Sequence, residues 1–255
     1  MTEMAKNIRK KILEISCKVK SAHIGSNLSC ADIFSALYFN ILNLENFEKR
    51  DIFILSKAHS ALALYVSLYY KGLMSEENLH KYYINGGLLP AHTDRKTNNY
   101  VEISAGSLGH GLPIAVGLAL ALKAQKRKVF CLMGDGEIQE GSVWEAAMLS
   151  SNLKLNNLIC LVDYNNLQGY QNTKELLEPL DNKWKSFGYE CVSIDGHNEK
   201  ELIKAIKDYE NTQKPLCIIC KTTKGKGVSF MENKLEWHYY SLSNDEYKKA
   251  LEELK

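Results

Sequence analysis

Proline is scarce in this 255-residue chain, four in all, and no Pro/Gly-rich or low-complexity tract interrupts it, so neither a flexible linker nor an internal repeat is expected. No stretch approaches ~20 uninterrupted apolar residues, which excludes a membrane-spanning helix. Met1 to Lys20 carries charges throughout and lacks the apolar core of a signal peptide. Net charge is nearly absent: 32 Lys and Arg against 30 Asp and Glu leave +2, with no basic stripe, so neither nucleic acid nor a membrane is an expected partner. No GxGxxG follows the first apolar run, where SKAHSALAL stands, and this disfavours a dinucleotide-binding dehydrogenase. The seven cysteines are odd in number and scattered, as suits small buried apolar residues in a reducing, cytoplasmic setting. The CxxC at Cys217 to Cys220 lies in an apolar run. In a strand, positions three apart face opposite sides, so these thiols share neither a metal nor a bridge.

What is present points to one globular α/β domain spanning 1–255, with 45% hydrophobic and 24% charged residues. Five short apolar runs, at 51–55, 128–133, 157–163, 189–194 and 215–220, are apolar at both alternating positions, as parallel strands covered on two faces require. Helical patterns fill the gaps, at about 4–20, 30–41, 59–71, 76–84, 108–126, 140–153 and 198–210. Ser29 with Asp32 suggests a capping box for the second of these. A charged helix is expected from about 243, with Tyr247, Leu251 and Leu254 along one side. The alternation predicts a doubly wound, mainly parallel sheet with helices on both faces.

In such sheets ligands gather at the carboxyl ends of the strands. Gly134-Asp135-Gly136 follows one predicted strand, and Asp163-Tyr164-Asn165-Asn166 follows the next. The glycines let backbone approach a ligand and offer N–H groups to a phosphate. Asp135 supplies an anionic oxygen and Asn165 a neutral one, which suits a Mg²⁺ shared with a diphosphate. Five histidines, His23, His59, His92, His110 and His238, lie in small-residue or polar segments rather than on an apolar helical stripe, and any one of them alone reads as a surface or structural histidine.

Asp135 and Asn165 are thirty positions apart, and this GDG-to-Asn spacing resembles the thiamine diphosphate motif of the transketolase family. The segments SAHIG, LSKAHS, LPAHTD, SLGHG and EWHYY resemble, in order, that family's SGHPG, LSxGH, PGHPE, its Gly-Pro-Leu-Gly-Gln-Gly loop and its late HG. The resemblance implies thiamine diphosphate and Mg²⁺ as cofactors, with Ca²⁺ or Mn²⁺ able to stand in for the metal. It implies Asp135, Asn165 and the Leu167 carbonyl as metal ligands. His23, His59, His92 and His238 become the catalytic set. Gly106, Leu108, Gly134, Gly136, Glu137 and Lys224 join His59, Asp135, Asn165 and His238 as cofactor contacts. The implied reaction moves a two-carbon ketol unit from a ketose, free or phosphorylated, to an aldose.

Three positions depart from the pattern: Ile24 and Thr93 replace prolines, and Tyr239 replaces the glycine after the late histidine. These are expected to reshape the mouth of the pocket. A transketolase also needs a carboxylate that activates the aminopyrimidine, and the family carries it in a second domain that this chain does not resemble. The chain therefore resembles the N-terminal subunit of a split transketolase, with a separate C-terminal subunit supplying the pyrimidine domain and activating glutamate, in an α2β2 assembly. Glu140 reads either as a residue at the interface between chains or as a plain helix cap. Helix 140–153, with Val143, Trp144, Ala147 and Met148 around one face, reads either as a contact surface or as a core face. The alternatives are a 1-deoxyxylulose-phosphate synthase-like fragment, a 2-oxoacid dehydrogenase E1 α-like subunit, or a non-catalytic assembly subunit.

Overall fold

The computed structural model describes residues 1–209 and 212–255. Among these, strands β1 (Ile52–Leu55), β2 (Val129–Gly134), β3 (Leu158–Tyr164), β4 (Glu190–Asp195) and β5 (Leu216–Lys221) form one parallel sheet in the order β1-β2-β3-β5-β4. Each begins one residue later than the apolar run that predicted it. Polar ends such as Tyr164 and Lys221 stay in the ladder because their backbone is still paired.

The first half of the chain carries helices α1 (Glu3–Val19), α2 (Ile24–Ser29), α3 (Ala31–Ala36), α4 (Ala61–Tyr70), α5 (Glu76–Leu79) and α6 (Gly111–Leu122). The second half carries α7 (Gly141–Asn152), α8 (Lys174–Leu177), α9 (Leu180–Ser186), α10 (Glu199–Asp208) and α11 (Asn244–Glu253). Alternate strand residues feed two cores. Phe53, Phe130, Leu132, Leu161 and Ile218 pack under α1, α3, α4 and α10, while Ile54, Cys131, Met133, Val162 and Ile219 pack under α6, α7 and α9. The sheet is thus doubly wound, as the alternation predicts. Cys217 and Cys220 fall in opposite cores. On one face Cys131, Cys160, Cys217 and Cys191 stand in register across β2, β3, β5 and β4, all of them free thiols.

Several local expectations give way. β4 is an edge strand with Val192 and Ser193 exposed, so it is not covered on both faces. The helix expected over 76–84 stops at Leu79, and Tyr83 turns to φ 55 as its N–H bonds the Leu89 carbonyl. The helix expected from 108 starts at Gly111, because Gly109 takes φ 78. Position 210, the predicted end of the α10 helix, lies outside the described residues. Ser29 and Asp32 do not form a capping box. The Ser29 hydroxyl donates to Asp163 and lies near Ser26 O, while Asp32 faces Arg9 and His197. In α7, Val143 and Ala147 are core residues while Met148 is exposed, so the face expected there is split. The capping box of α11 joins Ser243 and Glu246, and Leu254 is buried.

Candidate active site

Gly134 pairs with Asp163 in the ladder, so the loops leaving β2 and β3 start from adjacent points on the carboxyl edge. They run close together. A Cβ built on Gly136 stands 2.7 Å from the Gln168 Cβ, a contact that only glycine avoids. Between these loops, Ser26, Lys57, His59, Leu108, Tyr170 and His238 surround a cavity of about 290 Å³, near the lower end of small-molecule sites.

Asp135 is buried beside this cavity, its Oδ2 accepting from the Thr173 hydroxyl at 2.9 Å and its Oδ1 from Gly136 N–H at 2.8 Å. Burial, then repulsion from Asp163, outweigh those donors and push its carboxyl up to about 6. It is a buried anion short of a cation. Asn165 accepts the Leu167 N–H at 3.1 Å, and the Leu167 carbonyl accepts from Lys224 Nζ at 3.3 Å. Among the described residues no group of three His, Cys, Asp or Glu side chains is placed to hold a metal alone. The donors present are one carboxylate, one amide oxygen and one peptide carbonyl, which fit a hard divalent cation completed by diphosphate oxygens and water. Gln168 lines the cavity, and its Nε2 is buried with no hydrogen-bond partner among the described residues.

Asp163 is fully buried and receives the Lys57 ammonium, the Ser29 hydroxyl at 2.6 Å and the Thr222 hydroxyl. Burial would raise its carboxyl, but the Lys57 charge and these donors outweigh it and hold the group below its usual value. Glu137 accepts from the Ser56 hydroxyl, from Gly109 N–H at 3.0 Å and from Gly134 N–H at 3.1 Å. Its carboxylate therefore ties three segments together while the residue borders the cavity.

His23 stands at the centre of the imidazoles, its ring centroid 5.5 Å from His59, 5.7 Å from His92 and 5.0 Å from His238. It takes φ 63 at the start of α2, where its N–H bonds the His238 carbonyl. Burial, with added repulsion from His92 and from Lys224 and Lys57, lowers His23 to about 4. Burial and Lys224 lower His238 to about 3, while burial, then Lys57, take His59 well below its usual value. His92 is lowered by burial alone. At neutral pH this is a cluster of uncharged imidazoles beside two lysines. Lys224 Nζ lies 3.0 Å from His238 Nδ1, and burial, then Lys57, lower that ammonium to about 8.

Residues 1–254 match the family described as transketolase, thiamine diphosphate binding domain. The chain belongs to that family. It is 40% identical over 264 residues to an apulose-4-phosphate transketolase subunit of Actinobacillus succinogenes, covering 100% of this chain and 96% of that protein. It is 38% identical over 263 residues to the 6-deoxy-6-sulfo-D-fructose transketolase subunit SqwG of a Clostridium species, with the same coverage. Among solved structures, the Campylobacter jejuni transketolase matches with TM-score 0.88 and 32% identity over 100% of this chain, which spans 43% of that longer one. The Leishmania mexicana transketolase gives TM-score 0.91 at 26% identity over 99% of this chain and 41% of its own.

Against the transketolase pattern, the structure brings His23, His59, His92, His238, Asp135, Asn165, Leu167, Glu137, Leu108, Gly134 and Gly136 to one end of the sheet. Gly106 lines instead a second, open cavity of about 480 Å³, with His92, Thr93, Asp94 and His110. Of the three departures, Ile24 is a core residue and does not reach the mouth, Thr93 is buried against the second cavity, and Tyr239 is 60% exposed beside His238. Glu140 occupies the N-cap position of α7, yet its side chain makes no capping bond. Sequence reasoning missed Lys57, Asp163 as an ion-pair partner, and Thr173. A lysine two residues past an apolar strand, inside SKAHS, was the available signal for the first.

Proposed function

We propose that this chain is the metal- and diphosphate-holding subunit of a two-subunit transketolase, moving a two-carbon ketol unit from a ketose, phosphorylated or similarly anionic, to an aldose. The observation that carries the reading is the buried, cation-deficient Asp135 placed beside Asn165, Leu167 and a neutral imidazole cluster. Asp135, Asn165 and the Leu167 carbonyl would hold Mg²⁺, or Ca²⁺ or Mn²⁺ in its place. Thiamine diphosphate, when bound, supplies the carbon nucleophile and electron sink. The protein's own part is to orient the sugar and move protons. His23, His92 and His238 are uncharged at neutral pH, so the His23 and His92 rings can each donate to one hydroxyl and accept from another, while His238, its Nδ1 facing Lys224, presents Nε2–H, and these rings can deliver a proton to an oxygen that gains charge.

The names of the relatives favour a transketolase over the deoxyxylulose-phosphate synthase and oxoacid dehydrogenase alternatives, and two of them are called subunits. The activating carboxylate is assigned to a partner subunit, since Glu137 is engaged by Ser56, Gly109 and Gly134. An apolar surface on α6 and α7 supports assembly with other chains: Ile114, Leu120, Met148 and Leu149 are 41%, 50%, 53% and 51% exposed. Glu140, exposed next to this surface, fits an interface role, and α2β2 is the simplest closed arrangement. No helix among the described residues is long and apolar enough to cross a membrane, and a cytoplasmic location fits the reading.

The test is calorimetric titration of thiamine diphosphate with Mg²⁺ into the chain, alone and with the candidate partner subunit. Binding that tightens with the partner, and ketol transfer confined to the mixture, are expected. Absence of binding in both would overturn the reading.

A further inference from the structure

A buried ion pair with a partly buried histidine against it forms a trio that the proposed chemistry does not use. Arg9 on α1 and Asp32 on α3 are 0% and 1% exposed, and the guanidinium donates to both carboxylate oxygens. His197 lies in the turn after β4, with Nδ1 2.7 Å from Asp32 Oδ2. Its other nitrogen, Nε2, accepts the Thr223 N–H at 2.9 Å. A ring nitrogen that receives an N–H carries no proton, so the tautomer is fixed: Nδ1–H donates to Asp32 and Nε2 is the acceptor. Arg9 Nε donates to the Lys226 carbonyl at 2.9 Å, so the trio grips the segment after β5 at two points.

That segment leads directly into the site. Thr222 donates its hydroxyl to Asp163, the partner of Lys57. Lys224 reaches His238 Nδ1 and the Leu167 and Gln168 carbonyls. Thr223 stands between them, and its side chain takes part in neither contact. A Cβ on Gly196 would stand 2.5 Å from Thr222 Cγ2, so the His197 turn is pressed against the segment it holds. A buried ion pair gives little net stability for its desolvation, and fixing a geometry is one use for it.

We propose that His197 is a positioning residue: through Asp32 and Arg9 it fixes the backbone at Thr223, and so sets where Thr222 and Lys224 meet the cofactor's diphosphate side. The inference rests on the cofactor reading above. His197→Phe keeps the ring and removes both nitrogens, while His197→Gln keeps one donor and one acceptor. In the unliganded full chain, hydrogen exchange of the 222–227 amides is expected to rise about tenfold in the Phe variant, the loss of one buried hydrogen bond, and far less in the Gln variant. Calorimetry with thiamine diphosphate and Mg²⁺, partner subunit present, is expected to show affinity about tenfold weaker for Phe and largely restored for Gln. Unchanged exchange in the Phe variant would overturn the clamp. Raised exchange with unchanged affinity would reduce the trio to a structural brace and overturn the positioning role. A wild type that binds no cofactor would remove the cofactor reading, and the positioning role with it, while the exchange data would still report the clamp. Should Phe not fold, His197→Asn, whose shorter amide reaches Asp32 and falls short of Thr223, carries the same expectations.

Discussion

Asp135 makes a sharp prediction, because its burial ought to weaken the metal-free fold. Burial and Asp163 raise its carboxyl from 3.8 to about 6, which corresponds to about 3 kcal/mol of differential stabilisation of the neutral form. The unfolded chain releases this proton first. The group's contribution is therefore neutral below the unfolded value and turns increasingly unfavourable as pH rises from 3.8 through about 6. Asp135→Asn removes the charge with little change of shape. Its Oδ1 can keep the Gly136 N–H, and its Nδ2 can donate to Thr173, whose hydroxyl reverses. In chelator-treated protein at neutral pH, the variant should be more stable by up to about 3 kcal/mol, or roughly 6–12 °C in Tm for a chain of this size. The measurement is urea and thermal unfolding of both proteins at acid and neutral pH, followed by calorimetry with Mg²⁺ and thiamine diphosphate. The wild type should gain stability from the pair of ligands and the variant should gain none. A metal-free variant no more stable than wild type at neutral pH would refute the account of Asp135 as an anion awaiting its cation.

Lys57→Met should destabilise the chain by about 3–5 kcal/mol, by leaving Asp163 buried without its cation, and adding Asp163→Asn should recover much of this in urea unfolding. Gly136→Ala drives a Cβ against Gln168, so the two site loops must part, and cofactor affinity measured by calorimetry should fall while the melting temperature changes by only a few degrees. Because His23 and His238 are held at about 4 and about 3, the unfolded chain takes up protons first as pH falls below 6.5, and stability declines toward those values. His238→Gln should flatten that acid slope, and an unchanged slope would speak against burial as the cause. Leu149→Lys on the exposed α7 face should lower the oligomeric state of the assembled protein in sedimentation, with the circular dichroism of the chain unaltered.

The parallel strands and the two loops at their ends were legible because apolar runs and Gly-Asp-Gly or Asp-x-Asn-Asn are local patterns. What stayed hidden is long-range. Lys57 and Asp163 lie 106 positions apart, and Arg9, Asp32 and His197 come from two helices and a turn far apart in the chain, so no period or spacing announces them. Ser29 and Asp32 show how such partners mislead: S-x-x-D looks like a local cap, but each side chain is claimed from elsewhere in the fold. The over-long helix at 76–84 has a similar origin, since the Leu89 carbonyl captures the Tyr83 N–H and breaks the turn.

The row of four free cysteines across β2, β3, β5 and β4 gives the sheet a graded set of internal reporters. Cys191 sits half-buried on the edge strand β4, Cys217 lies one strand in, Cys160 on the central strand and Cys131 one strand in from the opposite edge, β1, these three fully buried. From the β4 side a thiol reagent reaches Cys217 and then Cys160 only when the strands outside them have let go, while Cys131 reports release of β1, so the order and rates of labelling show from which edge fraying approaches the site-bearing strands β2 and β3.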